Sequence, residues 1–135
     1  PWGTVLTCEE NINFFFDGHL DGDHPEAANH ARMGVGKSEY PHWAEANPRF
    51  DVRANPNEPN RFGWVVEIDP ARPDASPVKR TALGRFKHES ATVGLAKSGQ
   101  VVVYTGDDQV FEHLYKYVSK DVYRPGEDAG RLLDE

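Results

Sequence analysis

Three short runs in this chain carry side chains that could bind a metal: Cys8-Glu9-Glu10, Lys87-His88-Glu89 and Gly106-Asp107-Asp108. Adjacent carboxylates repel one another, and bound cations remove that cost. Carboxylate oxygens suit hard cations such as calcium, and a thiolate adds affinity for iron or zinc. A site mixing Cys8 with glutamates therefore favours a transition metal near the sulfur and harder ions beside it. Each run also has a plainer explanation. A lone cysteine is commonly a small buried hydrophobe. Paired acids are commonly solvated, and an aspartate such as Asp107 can open a turn by bonding its own backbone.

Other candidates are fewer. His88 is the one histidine that stands beside a carboxylate run; His19, His24, His30, His42 and His113 read as surface or packing residues. A Cys8–His88 nucleophilic pair is conceivable. Two carboxylates next to Cys8 would raise the thiol pKa, which favours a metal-stabilised thiolate over a free nucleophile. Asp17, Asp21 and Gly22 match positions one, five and six of a calcium loop, but His19 and Ala28 stand where ligands belong. That segment reads as a flexible polar loop.

The elements that must position these residues follow from local pattern. Residues 3–8 are rich in β-branched types and read as a strand with Thr4, Leu6 and Cys8 on one face. Residues 12–24 read as a loop behind the aromatic cluster Phe14-Phe15-Phe16. Residues 25–33 form a short helix, with Pro25 at its start and Gly34 or Gly36 at its stop. A second helical turn runs over 41–46 and ends at Asn47-Pro48. Residues 54–61 are turn-formers.

Strands follow at 62–69, 91–97 and 101–105, the last two joined by Ser98-Gly99-Gln100. Residues 111–119 fit both a strand and a helix stripe, and their Tyr and Val content favours strand. The expectation is a mainly β fold: an antiparallel meander of about four strands, with one or two short helices in an inserted loop. Such a sheet is the unit of a propeller blade, and also of sandwiches and many α+β folds. All three acidic runs fall at strand ends, where a rigid scaffold presents functional side chains.

Composition narrows the partners. Of 135 residues, 38% are hydrophobic and 27% charged, the balance of a globular domain. Fifteen Lys and Arg face 22 Asp and Glu, for a net charge of −7, a poor surface for nucleic acid. No stretch nears the roughly 18 apolar residues of a membrane span. One cysteine allows neither an intrachain disulfide nor a multi-cysteine zinc site. No signal peptide is visible, and the chain, opening at once into a strand-like run, reads as a piece of something longer.

Four runs also match a known family. PWGTVLTCEEN (residues 1–11), FGWVVEIDP (62–70), KRTALGRFKHE (79–89) and VYTGDD (103–108), the last followed by Phe111-Glu112 and Leu114-Tyr115-Lys116, resemble in order the motifs of PhoX alkaline phosphatases. The resemblance implies that residues 1–135 are part of a β-propeller domain with a metal cluster at its axis. It implies an exported, periplasmic or secreted phosphomonoesterase that uses iron and calcium on small phosphomonoesters. Cys8 takes the iron-ligand position, with Glu9 and Glu89 as the next carboxylates at the metals. Asp107 and Asp108 fall on the calcium side or behind it, and Glu67 and Asp69 have fitting types without a role. Arg85 and Lys87 are local candidates for gripping phosphate. The remaining ligands would lie elsewhere, so this stretch alone is expected to be inactive. The alternatives are an inactive calcium-binding propeller or interaction module, and an unrelated metal-dependent esterase or lactonase.

Overall fold

Residues 3–8 do form a strand, β1 (Val5–Cys8), and alternation leaves Val5 and Thr7 exposed while Leu6 and Cys8 pack against an apolar core. The structure, a computed structural model, describes residues 2–36 and 43–134. These fall into two units: residues 11–63, and the segments before and after them.

In the unit that contains β1, this strand pairs antiparallel with β2 (Val65–Ile68), with Cys8 opposite Val65. β2 pairs in turn with β3 (Val78–Lys79), with Val66 opposite Lys79. The strand expected over 62–69 is shorter at its start because Gly63 sits at φ 90°, a left-handed conformation that breaks an extended run. The proline-rich segment after it folds back on itself. Asp69 accepts the Ala71 N–H at 2.9 Å and pairs with Arg72, and this turn returns the chain as β3.

A second antiparallel sheet holds β4 (His88–Leu95), β5 (Gln100–Asp107) and β6 (Leu114–Val122). The expected meander of four strands is corrected to three, since β2 belongs with β1 and β3. The link at 98–100 is a turn with Gly99 at φ 88°. The ambiguous stretch is a strand, but it begins at Leu114, and Phe111 lies in the preceding turn at φ 69°.

Two irregularities interrupt the second sheet. His88 stands opposite Asp107 and Ser90 opposite Gly106, so Glu89 is the extra residue of a β-bulge. Near the far end of β5, the pairing slips between Gln100 and Val102. There the buried Ser119 hydroxyl accepts the Val101 N–H at 2.9 Å and donates to the Asp121 carbonyl at 2.7 Å, so a side chain replaces a ladder partner.

Both sheets contribute to one core. Val65 comes from the first, Val101 and Val103 from the second, and Leu132 and Leu133 from a C-terminal 3-10 turn, all fully buried. Burying each such side chain contributes about 1.5–3 kcal/mol. At the edge of this core sits a buried carboxylate, Glu67. Its Oε1 accepts the Trp2 indole N–H at 2.7 Å and the Thr4 hydroxyl. Its Oε2 accepts from Arg80 Nε at 2.7 Å. Arg80, also buried, reaches Asp134 at 2.5 Å. Burial alone would raise the Glu67 pKa, but the donors of Thr4, Trp2 and Arg80, together with the charge of Arg80, hold it below the usual carboxylate range.

The unit of residues 11–63 has a core of its own. Its helix α1 (Ala27–Met33) starts two residues after Pro25 and ends on Gly34 at φ 73°. A second short helix, α2 (Trp43–Ala46), matches the expected turn, whose first two residues lie outside the described ones. Asn47 is extended, and its side chain accepts the Arg49 N–H. Within 54–61 lies a 3-10 turn, Glu58–Arg61, opened by Pro59. Phe16 packs edge-on against Phe50 and Phe62 at 5.7 and 5.5 Å, beside Ile12, Met33 and Val52. What reads as an inserted loop is thus a small packed unit.

Glu67→Gln in the full-length protein is expected to lower unfolding free energy by about 3 kcal/mol, because it leaves the buried Arg80 short of its partner. The pH dependence has a definite sign. The folded carboxyl has a lowered pKa, so its contribution is full above the ordinary glutamate value of about 4.5 and is lost as pH falls through the lower folded value. Denaturation curves between neutral and acid pH should show that loss in the parent and its absence in Glu67→Gln. Gly130→Ala should weaken the same pair, since its Cβ would overlap the Arg80 guanidinium and lie 3.2 Å from Glu67 Oε2.

Candidate functional site

Hairpin pairing brings two of the acidic runs together. Because β4 begins where β5 ends, His88 faces Asp107, and the Asp108 N–H donates to the Lys87 carbonyl at 3.0 Å. The third run stands at the end of β1 in the same unit, and β1 packs against β4. The pairing of the Lys87–Glu89 run with Asp107–Asp108 is what spacing along the chain does not reveal.

The individual side chains are set differently. Cys8 is half-buried at the edge of the core. Burial, and then the Glu10 carboxylate, push its thiol above the usual range. Left alone, such a thiol is protonated at neutral pH and a weak nucleophile; a bound cation converts it to a thiolate ligand. Glu9 is engaged elsewhere. Lys79 Nζ lies 2.8 and 3.0 Å from its two oxygens, and Oε2 also accepts the Trp64 N–H at 3.0 Å.

His88 is fully buried. Its Nε2 lies 3.0 Å from the Gly84 carbonyl, which can only accept, so Nε2 carries the proton. Nδ1 then accepts from the Thr105 hydroxyl at 2.8 Å. Burial pushes its pKa down, and the weaker pulls of the Gly84 bond and of Asp107 and Glu9 act the other way. Its ring stacks on Phe86 at 3.8 Å. Both nitrogens are thus occupied inside the fold, and no Cys8–His88 pair forms. His30, read as a packing residue, is buried in α1 with Nε2 2.7 Å from the Pro56 carbonyl.

The remaining candidates divide by exposure. Glu89 projects into solvent from the bulge, and Asp108 is exposed. Asp107 is buried, and its Oδ1 accepts the Gln109 N–H at 3.1 Å, the turn-opening bond open to any aspartate. Glu67 and Asp69 are occupied by Arg80 and Arg72. Arg85 and Lys87 are partly buried. The calcium-like loop behaves as backbone: Asp17 accepts the Ala44 N–H at 2.9 Å and bridges to Asp51.

The implied iron and calcium fit this donor set in kind, with one sulfur and several carboxylates. They do not fit in number, for among the described residues no three of His, Cys, Asp and Glu could hold an ion together. Ligands from elsewhere would be needed to close a site. Two residues with structural leverage escaped sequence reasoning. Lys79 and Arg80 both lie in a motif run, but only the β2–β3 register shows what they hold.

Comparison with known proteins shows the family of this chain. The family of alkaline phosphatase PhoX matches over residues 1–135. A solved structure described as Pseudomonas fluorescens PhoX in complex with vanadate, a transition state analogue, superposes with a TM-score of 0.85 at 46% identity. The match covers 99% of this chain and 23% of that one, so the chain spans about a quarter of the length of its structural relative. A comparison with curated proteins finds no match. By the family match over its whole length, the chain belongs to the PhoX alkaline phosphatase family.

Proposed function

We propose that the full-length protein hydrolyses small phosphate monoesters and that this chain supplies part of its metal site. The observation that carries the proposal is the likeness, over nearly the whole chain, to a PhoX in complex with vanadate, a transition state analogue. In the reaction, water oxygen bonds to phosphorus, the ester P–O bond breaks, and the departing alcohol oxygen takes up a proton. Bound iron and calcium would supply charge neutralisation at the phosphate oxygens and Lewis acidity.

Cys8 is the residue of this chain assigned to iron. Its half-buried position and raised pKa suit a thiolate that exists only as a ligand. Glu89, Asp107 and Asp108 are the carboxylates assigned to the metals or to the residues behind them, and Glu9 borders them with its charge already balanced by Lys79. Arg85 and Lys87 are assigned to phosphate. The whole domain is proposed to be a β-propeller, with these two sheets as part of it, and to act after export in the periplasm or outside the cell. The stretch alone is proposed to be inactive, since it cannot hold an ion with its own described residues.

In the full-length protein, Cys8→Ala should lose iron by elemental analysis and lose roughly 100-fold or more in kcat, with an unchanged far-ultraviolet spectrum. Calcium bound without iron in wild type and Cys8→Ala alike, with no phosphatase activity in either, would instead support the inactive calcium-binding module. The second test is substrate class. p-Nitrophenyl phosphate should be turned over and the reaction blocked by vanadate, while p-nitrophenyl acetate and lactones should not react. Preference for the carboxylic ester would sink the phosphatase assignment.

A further inference from the structure

We infer that Lys79 is a positioning residue for the Cys8–Glu10 turn, an inference that deepens the phosphatase reading and rests on it for its catalytic consequence. The Lys79 ammonium lies 2.8 and 3.0 Å from the two Glu9 oxygens. Glu9 is tied to the start of β2 as well: its N–H donates to the Trp64 carbonyl at 3.1 Å, and its Oε2 accepts the Trp64 N–H at 3.0 Å. The residue immediately after Cys8 is therefore held from two strands.

The holding is rigid because Lys79 is itself fixed. On β3 it stands opposite Val66 of β2, and the next residue, Arg80, donates its N–H to the Val65 carbonyl at 2.9 Å and anchors in the buried Glu67 pair. The edge strand β3, fixed by the buried Arg80–Glu67 pair, thus delivers an ammonium to Glu9 just past the end of β1. Two effects follow at Cys8. The chain leaves β1 along one path, which sets where the sulfur and Glu10 project. One of two adjacent carboxylates is neutralised by the protein, so Glu9 braces the turn while the sulfur supplies a donor. The Lys79 and Glu9 side chains are 36% and 21% exposed. Such a pair adds little stability, so its removal leaves a folded protein.

The experiment compares wild type, Lys79→Met, Lys79→Arg and Glu9→Gln in the full-length protein. It reads amide hydrogen exchange over residues 4–10 and 64–66, iron and calcium content, and kcat and KM with p-nitrophenyl phosphate. Lys79→Met and Glu9→Gln should speed exchange at Glu9 and Trp64, lower bound iron, and reduce kcat by about tenfold or more with KM held within about twofold. Lys79→Arg should restore most of each. Wild-type exchange, iron content and kcat in Lys79→Met would overturn the inference, as would an arginine variant no better than the methionine one. If wild type itself binds no iron and hydrolyses no phosphate ester, the phosphatase reading fails. Exchange at Glu9 and Trp64 then decides the role of Lys79 alone, and unchanged rates sink it. Should Lys79→Met not fold, Glu9→Gln breaks the same contact from the other side, and wild-type exchange and iron content in that variant overturn the inference equally.

Discussion

A carboxylate cannot enter an apolar core unless its charge and lone pairs are met, and Glu67 makes that constraint the anchor of the larger unit. It draws Trp2 and Thr4 from before β1, Arg80 from after β3 and, through Arg80, Asp134 near the end of the chain. Four separate stretches of sequence must be in place for one buried charge to be tolerated. An alternative register of β1 on β2 would take the Trp2 and Thr4 donors away from the buried Glu67 Oε1, while Arg80, held from the β3 side, would keep its bond to Oε2. Each buried acceptor left short of a donor costs about 1–3 kcal/mol, so these two bonds favour the native register. Because β1 ends at Cys8, the same constraint sets where the thiol comes to lie.

What the sequence discloses is local. The stop of α1 at Gly34, the turn at Gly99 and the strand character of residues 114–122 all arise from interactions within a few residues, so types and spacing are enough to find them. Sheet membership is not local. The segment around Val65 has the same β-rich composition whether it joins β4–β6 or pairs with β1, and only burial of Glu67 against Trp2 and Arg80 decides. The core of residues 11–63 is half visible. The run Phe14-Phe15-Phe16 announces apolar surface, but its partners Phe50 and Phe62 lie more than thirty residues away.

The candidate site shows the same division at finer scale. That three acidic runs stand at strand ends is legible; which side chain of each run points where is not. In a strand, a shift of one residue exchanges the two faces. The bulge at Glu89 is such a shift. Continued without a slip, the β4–β5 register would set Glu89 opposite Asp107. The slip puts His88 there, buried and bonded to Thr105 and Gly84, and turns Glu89 to solvent. Likewise, Cys8 and Glu9 are adjacent in sequence, yet one joins the core and the other meets Lys79.

Net charge gives these placements their meaning. With seven more acids than bases, the protein has too few cations to balance its carboxylates one for one. The balance is nevertheless local: the buried Arg80 meets Glu67, and the partly exposed Lys79 meets Glu9. Committing scarce cations to those two carboxylates leaves a negative excess elsewhere, and Glu89 and Asp108, exposed beside the His88–Asp107 register pair, form no ion pair among the described residues. Under the proposed phosphatase function, the substrate is itself an anion and would be repelled from such a surface. Metal cations standing between the carboxylates and the phosphate would reverse the sign of the field where that substrate would bind. On that proposal, the acidity of the surface is where the metals would find their place.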